Sequence, residues 1–265
     1  MAKTQAPRFS ERTLQFIQKA SRQKKADWLE KNREAYEETL LEPLKHLASK
    51  LKSELSPLAS GYHFPQKGIG RLKRSANRAL ETGFAYKDWM SYTASRPSGS
   101  RFDHNPSIFF MINPGDEEGD TVLLAGGLYM PSSRQLRAIR EAIAEDASAF
   151  DQLFASKSFR ACFKGGFSDE RISTRSPRGF DPNHPRMNWL RLQGFFVWSS
   201  YSKRDFSSAQ FSDQVVTDAK QILRLNELLE DAIRGKLVQS TVKAEPSKLL
   251  SRLDGIKVIQ RKMDF

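Results

Sequence analysis

Apolar positions along the first quarter of the chain recur at helical spacing. Leu14 and Ile17 share one side of a helix predicted over 10–24, with Ser10 at its N-cap. A second, longer helix is predicted to begin at Asp27, where Glu30 three residues on resembles a capping box. Its stripe of Leu29, Tyr36, Leu40, Leu44, Leu47, Leu51 and Leu55 steps by threes, fours and one seven, the signature of an inward face. Pro43 lies inside that stripe and predicts a kink or a division. The stretch SPLASGYHFPQKG then ends helix formation.

The middle of the chain changes pattern. IFFMI over 108–112 and TVLL over 121–124 predict adjacent strands joined by the turn NPGDEEGD. Gly126 and Gly127 mark a bulge or a close backbone approach. Ser132 or Ser133 caps a helix running to about Glu145, with Leu136, Ile139 and Ile143 facing the core. One further helix is predicted over Asp151–Phe163, and a strand over Leu192–Tyr201 that Gly194 weakens. A last helix spans Asp213–Ile233 with Ile222, Leu225, Leu229 and Ile233 aligned, and Gly235 stops it. Long helices at both ends around a few non-alternating strands predict an α+β fold with a mostly antiparallel sheet. The expected organisation is one domain over 1–235 and an appendage over 236–265, holding one short helix after Glu245-Pro246.

Composition narrows the class. Hydrophobic residues make up 38% of 265 positions, with 18 Phe and 4 Trp, enough for a core and against global disorder. No run approaches the ~18 apolar residues a membrane span needs, and the first residues lack an apolar signal segment. The single cysteine, Cys162, excludes an internal disulfide framework and reads as a packed thiol. These features predict a cytoplasmic protein without membrane association. The net charge of +12 is uneven: residues 1–100 carry 19 Lys and Arg against 10 Asp and Glu, while 101–200 balance at 12 against 12. Such an excess favours phosphorylated ligands or nucleic acid as partners, and also serves plain solubility.

Two arginine-dense stretches carry the candidate chemistry, KGIGRLKRSANRALETGFAYKDWMSYTASRPSGSR over 67–101 and RISTRSPRGFDPNHPRMNWLR over 171–191. Arg71, Arg74 and Arg78 at i, i+3 and i+7 would share one helix face, and guanidinium forks grip phosphate or carboxylate. Lys87 follows, and Tyr86, Trp89 and Tyr92 at spacings of three predict an aromatic ridge able to stack on a base. In the alternative, the aromatics pack in the core and the arginines pair with Glu30, Glu34 or Asp88. Arg175 and Arg178 would complete a basic cleft from the second stretch. Asp103-His104 and Asp181-Pro-Asn-His184 offer an acid–base pair or, if the two loops meet, a metal site. The opposing reading is a turn built by Asp181 and Asn183 and capped by His184. Gly68-Ile69-Gly70 lacks the third glycine and the lysine–serine pair of a phosphate loop. GxSxG, HExxH and paired CxxC signatures are absent, and no cofactor or metal is expected.

Together, the opening FxxxTLxFI and WLEKNREAY, the segment LLAGGLYMPSSRQLRAIREAI, and above all SPRGFDPNHPRMNWLRLQGFFV resemble a widespread bacterial and fungal family, domain of unknown function 2461. The resemblance covers roughly residues 9–233 and implies no established activity. The family's arginine motif, laid on Arg71, is kept at Arg71, Arg74 and Tyr86. Ser75, Asn77, Arg78, Thr82 and Gly83 stand where the motif carries aspartate, arginine, phenylalanine, an acid or amide, and lysine. The resemblance therefore implies either altered chemistry or a re-packed loop. Three functions stay open. One is a binding module for a phosphorylated or polyanionic ligand. Another is an enzyme using Asp181, His184 and His104 on a phosphate-bearing small molecule. The third is a protein-interaction scaffold acting through the tail.

Overall fold

The computed structural model describes residues 6–98, 102–115, 121–164 and 166–237. The predicted appendage from 238 onward, and part of the NPGDEEGD turn, lie outside these residues. The chain opens with helices α1 (Glu11–Ser21), α2 (Trp28–Lys31) and α3 (Arg33–Tyr36). A π-helical turn over Glu37–Leu41 leads into α4 (Glu42–Leu55). A 3-10 turn at Gln66–Gly68 and α5 (Ala76–Thr82) precede strands β1 (Met90–Ser95), β2 (Ser107–Asn113) and β3 (Thr121–Leu128). Helices α6 (Ser133–Glu145), α7 (Ser148–Ala155), α8 (Lys157–Cys162) and α9 (Met187–Leu190) follow. Strand β4 (Phe195–Tyr201), α10 (Lys203–Phe206) and α11 (Phe211–Ile233) complete the order. The fold is α+β, with a four-stranded antiparallel sheet in the order β1-β2-β3-β4.

Register assigns each strand residue to a face. Met90, Ile112, Val122 and Tyr201 form one inward row, and Ala94, Ile108, Gly126 and Val197 another. α11 packs on these rows, and the approach is close. A Cβ on Gly126 would lie 2.0 Å from Ile222 Cγ2, so only glycine fits there. Gly127 takes φ +112 beside the Phe195 carbonyl. Both glycines thus mark close approach, and the β3–β4 register runs on without a bulge.

The second predicted helix is divided, as Pro43 inside its stripe predicts, and it breaks earlier as well, into α2 and α3. Asp27 makes no cap hydrogen bond and instead pairs with Lys31 at 2.8 Å. Pro43 explains the interruption further on. In an α-helical ladder, the N–H of position 43 would face the Thr39 carbonyl, and proline has none to give. The buried Thr13 hydroxyl of α1 donates to that carbonyl at 2.7 Å instead, alongside the π-helical turn. The helix predicted over 151–163 is likewise two, broken at Ser156. β1 escapes the sequence reading altogether, because MSYTAS is short, small and half polar.

Candidate functional site

The first arginine-rich stretch does not form the helix that would align Arg71, Arg74 and Arg78. Residues 63–73 form a ribbon along the outer edge of β1, turned at Gln66–Gly68, with His63 bridging Ser95 and Ile69 bridging Tyr92. The Gly70 N–H donates to the Ser91 carbonyl at 2.8 Å. Gly68 is glycine because a Cβ would sit 2.3 Å from the Thr93 carbonyl oxygen. The Gly-Ile-Gly segment therefore serves edge seating. Beyond it, Lys73 bridges Tyr86, and only Arg78 of the three arginines lies on a helix, α5.

The ribbon faces the π-helical turn, and between them lies a cleft of about 460 Å³. Leu29, Tyr36, Leu41 and Ile69 supply apolar walls, and Lys45, Lys67, Arg71 and Lys73 supply positive charge, with no carboxylate on the lining. Lys45 is held by Glu42 at 2.7 Å. Lys67, Arg71 and Lys73 are exposed and have no ion-pair partner among the described residues. Burial, with Glu37 adding to it, raises the Tyr36 phenol above the usual tyrosine range, so it stays a neutral hydrogen-bonding group.

The other residues singled out from the sequence have different surroundings. Arg74 donates from Nε to the Tyr86 carbonyl at 2.8 Å and pairs with Asp88 at 3.4 Å, which ties the ribbon together. Arg78 pairs with Glu81 at 2.7 Å on the surface. Tyr86 is fully buried; its hydroxyl accepts from the Leu29 N–H and donates to the Ala26 carbonyl, both at 2.9 Å. Tyr92 is fully buried as well, so these two rings make no stacking ridge. Lys87 lies 4.0 Å over the Trp89 ring, and burial followed by the Arg74 charge lowers its ammonium pKa.

The second stretch lies elsewhere. Ile172 bridges Leu192 just before β4, and the Ser168 N–H donates to Phe196 of β4. β1 and β4 are opposite edges of the sheet, three strand spacings or roughly 14 Å apart. Arg175 and Arg178, both exposed, therefore do not share a cleft with Arg71. The acid–base candidates also stay apart. The His104 N–H donates to Gln135 in the first turn of α6, while His184 Nε2 bonds the Ala144 carbonyl in its last. Nine residues of helix separate those anchors, about 13 Å. His184 Nδ1 accepts from the Arg186 N–H, and Asp181 accepts from the Asn183 N–H at 2.9 Å, which is the capped turn. Asp103 is engaged by Ser132 and Arg134, and those hydrogen bonds hold its carboxyl below the usual range. Among the described residues no group of three or more His, Cys, Asp or Glu could hold a metal ion.

A family model described as "Conserved hypothetical protein (DUF2461)" matches residues 12–227. The chain belongs to that family. The match contains the ribbon, the π-helical turn and the whole sheet, so the cleft lies within the family region. Departures from the family motif find a local account here. Ser75 N-caps α5 by accepting from the Arg78 N–H, and Gly83 ends it at φ +73. No curated protein matches the chain, and no solved structure does. No helix among the described residues is long and apolar enough to cross a membrane. The sequence reading missed Tyr36, Lys67 and Lys73. The usable signal was the alternation of Arg71 and Lys73 about buried Leu72, a strand period hidden behind arginines at helical spacing.

Proposed function

We propose that the protein is a binding module for a small phosphorylated or polyanionic ligand with an apolar portion. Lys67, Arg71 and Lys73 hold the anionic end; Leu29, Tyr36 and Ile69 hold the rest. The observation that carries this reading is the cleft lining, three unpaired cations with no opposing carboxylate. The π-helical turn beside it supports the reading, since such turns recur at functional sites. The cleft volume suits a small molecule, and the burial of Tyr86 and Tyr92 removes two of the three stackers a nucleic acid would use.

The test is calorimetric titration of the full chain with 1-naphthyl phosphate and with inorganic pyrophosphate, against Arg71→Glu/Lys73→Glu. Saturable, salt-weakened binding that falls at least tenfold in the variant, with Tm changed by under about 2 °C, is expected. Binding unchanged by charge reversal, or no binding at low salt, refutes it. A collapse of Tm in the variant would make these cations structural. Labelled single-stranded DNA and RNA in the same assay distinguish a nucleic-acid ligand.

A further inference from the structure

The sheet's other face carries a second concavity. Antiparallel register turns Thr93, Phe109, Ala125 and Trp198 outward as one row, and Ser95, Ser107, Gly127 and Phe196 as the next. The residues at the centre, Ala125 and Gly127, are small, while Phe109, Phe196 and Trp198 are large. A depression follows, with a low floor and aromatic walls. Tyr129, just past β3, stands edge-on to Phe196 at 4.9 Å between centroids and closes one end. The cavity measures about 480 Å³, within the range of small-molecule sites. Its walls are among the exposed large hydrophobics of the chain, Tyr129 at 53% and Trp198 at 45%.

One charged side chain lines this cavity, Glu170, from the segment between α8 and α9. It is exposed, and among the described residues its carboxylate has no hydrogen-bond or ion-pair partner. The neighbouring Arg171 guanidinium bonds the Tyr129 carbonyl and lies 4.8 Å over the Tyr129 ring, so that wall already carries its own cation. Aromatic faces attract cations through their quadrupoles, and a carboxylate at the mouth adds a full opposite charge. We propose that this trough is a second binding site, distinct from the anion cleft, for an apolar molecule bearing a protonated amine or quaternary ammonium. The apolar part lies on Ala125 and Gly127 between the aromatic walls, and the cationic head meets Glu170 and Trp198.

Three probes on one naphthyl frame separate the contributions: 2-naphthylmethylamine (protonated at pH 7), neutral 2-naphthylmethanol and anionic 2-naphthylacetate. Each is titrated calorimetrically into the full chain. The amine is expected to bind at least tenfold tighter than the alcohol, and the acetate weakest. Glu170→Gln should cut the amine-over-alcohol preference to threefold or less. Ala125→Phe, which fills the floor, should remove binding of both. Equal affinity for amine and alcohol, or a preference for acetate, overturns the proposal. So does amine binding that survives Ala125→Phe. Should that variant fail to fold, Glu170→Gln still decides, because Glu170 is exposed and its carboxylate has no hydrogen-bond or ion-pair partner among the described residues. Arg71→Glu/Lys73→Glu should leave amine binding intact, which separates this site from the cleft.

Discussion

Replacing Thr13 by Val tests why the helix before the cleft is shaped as it is. Thr13 is fully buried, and its hydroxyl donates at 2.7 Å to the Thr39 carbonyl, which Pro43 cannot serve. Valine keeps the shape and removes the donor, leaving a buried acceptor unsatisfied at a cost of about 1–3 kcal/mol. The hydroxyl also accepts from the Ser10 N–H at 3.1 Å, so α1 loses a cap contact of about 0.5–2 kcal/mol as well. At roughly 2–4 °C per kcal/mol for a chain of this size, Tm should fall by several degrees. A double-mutant cycle isolates the carbonyl. Pro43→Ala returns an N–H near Thr39, so Thr13→Val should cost at least about 1 kcal/mol less in that background, while the Ser10 contribution cancels. Urea unfolding of the four proteins measures it. A Thr13→Val penalty equal in both backgrounds, within about 0.5 kcal/mol, would refute the account. Because Tyr36 just before this turn and Leu41 at its end line the cleft, naphthyl phosphate binding should weaken in Thr13→Val and recover in the double variant.

Other expectations concern buried polar groups. Tyr92 is fully buried, its hydroxyl has no hydrogen-bond partner among the described residues, and burial raises its phenol well above the usual range. Tyr92→Phe should therefore raise stability by about 1 kcal/mol in urea unfolding, and a loss of that size would show a hidden partner. Burial raises the Glu230 carboxyl above 4.5, more than Arg96 and Arg234 lower it, with Asp231 adding to the rise. The folded state thus holds that proton more tightly. Its stabilising contribution is complete below pH 4.5 and is lost as pH rises through the raised folded pKa. Glu230→Gln should flatten that slope in stability-against-pH curves, and an unchanged slope would assign it to other groups.

Periodicity alone placed most of the fold. The apolar steps of α6 and α11, the serine cap offered at Ser132 or Ser133 and the apolar run of β2 are local properties, and each element stands where the pattern puts it. β1 was illegible because its strand character comes from pairing with β2 and the ribbon, neither of which MSYTAS announces. The arginines show the same limit at the site. Spacing of three and four suits a helix, but glycines able to seat against β1 drew Arg71 and Lys73 into an extended edge, while Arg74 was taken by a backbone carbonyl. Sequence could say that the first hundred residues favour an anion, since charge is additive along a chain. Only tertiary structure decided which cations stay unpaired around one cleft, and that the two arginine-rich stretches lie at opposite edges of one sheet. Strand order fixes that separation, and strand order is a long-range property that no local window contains.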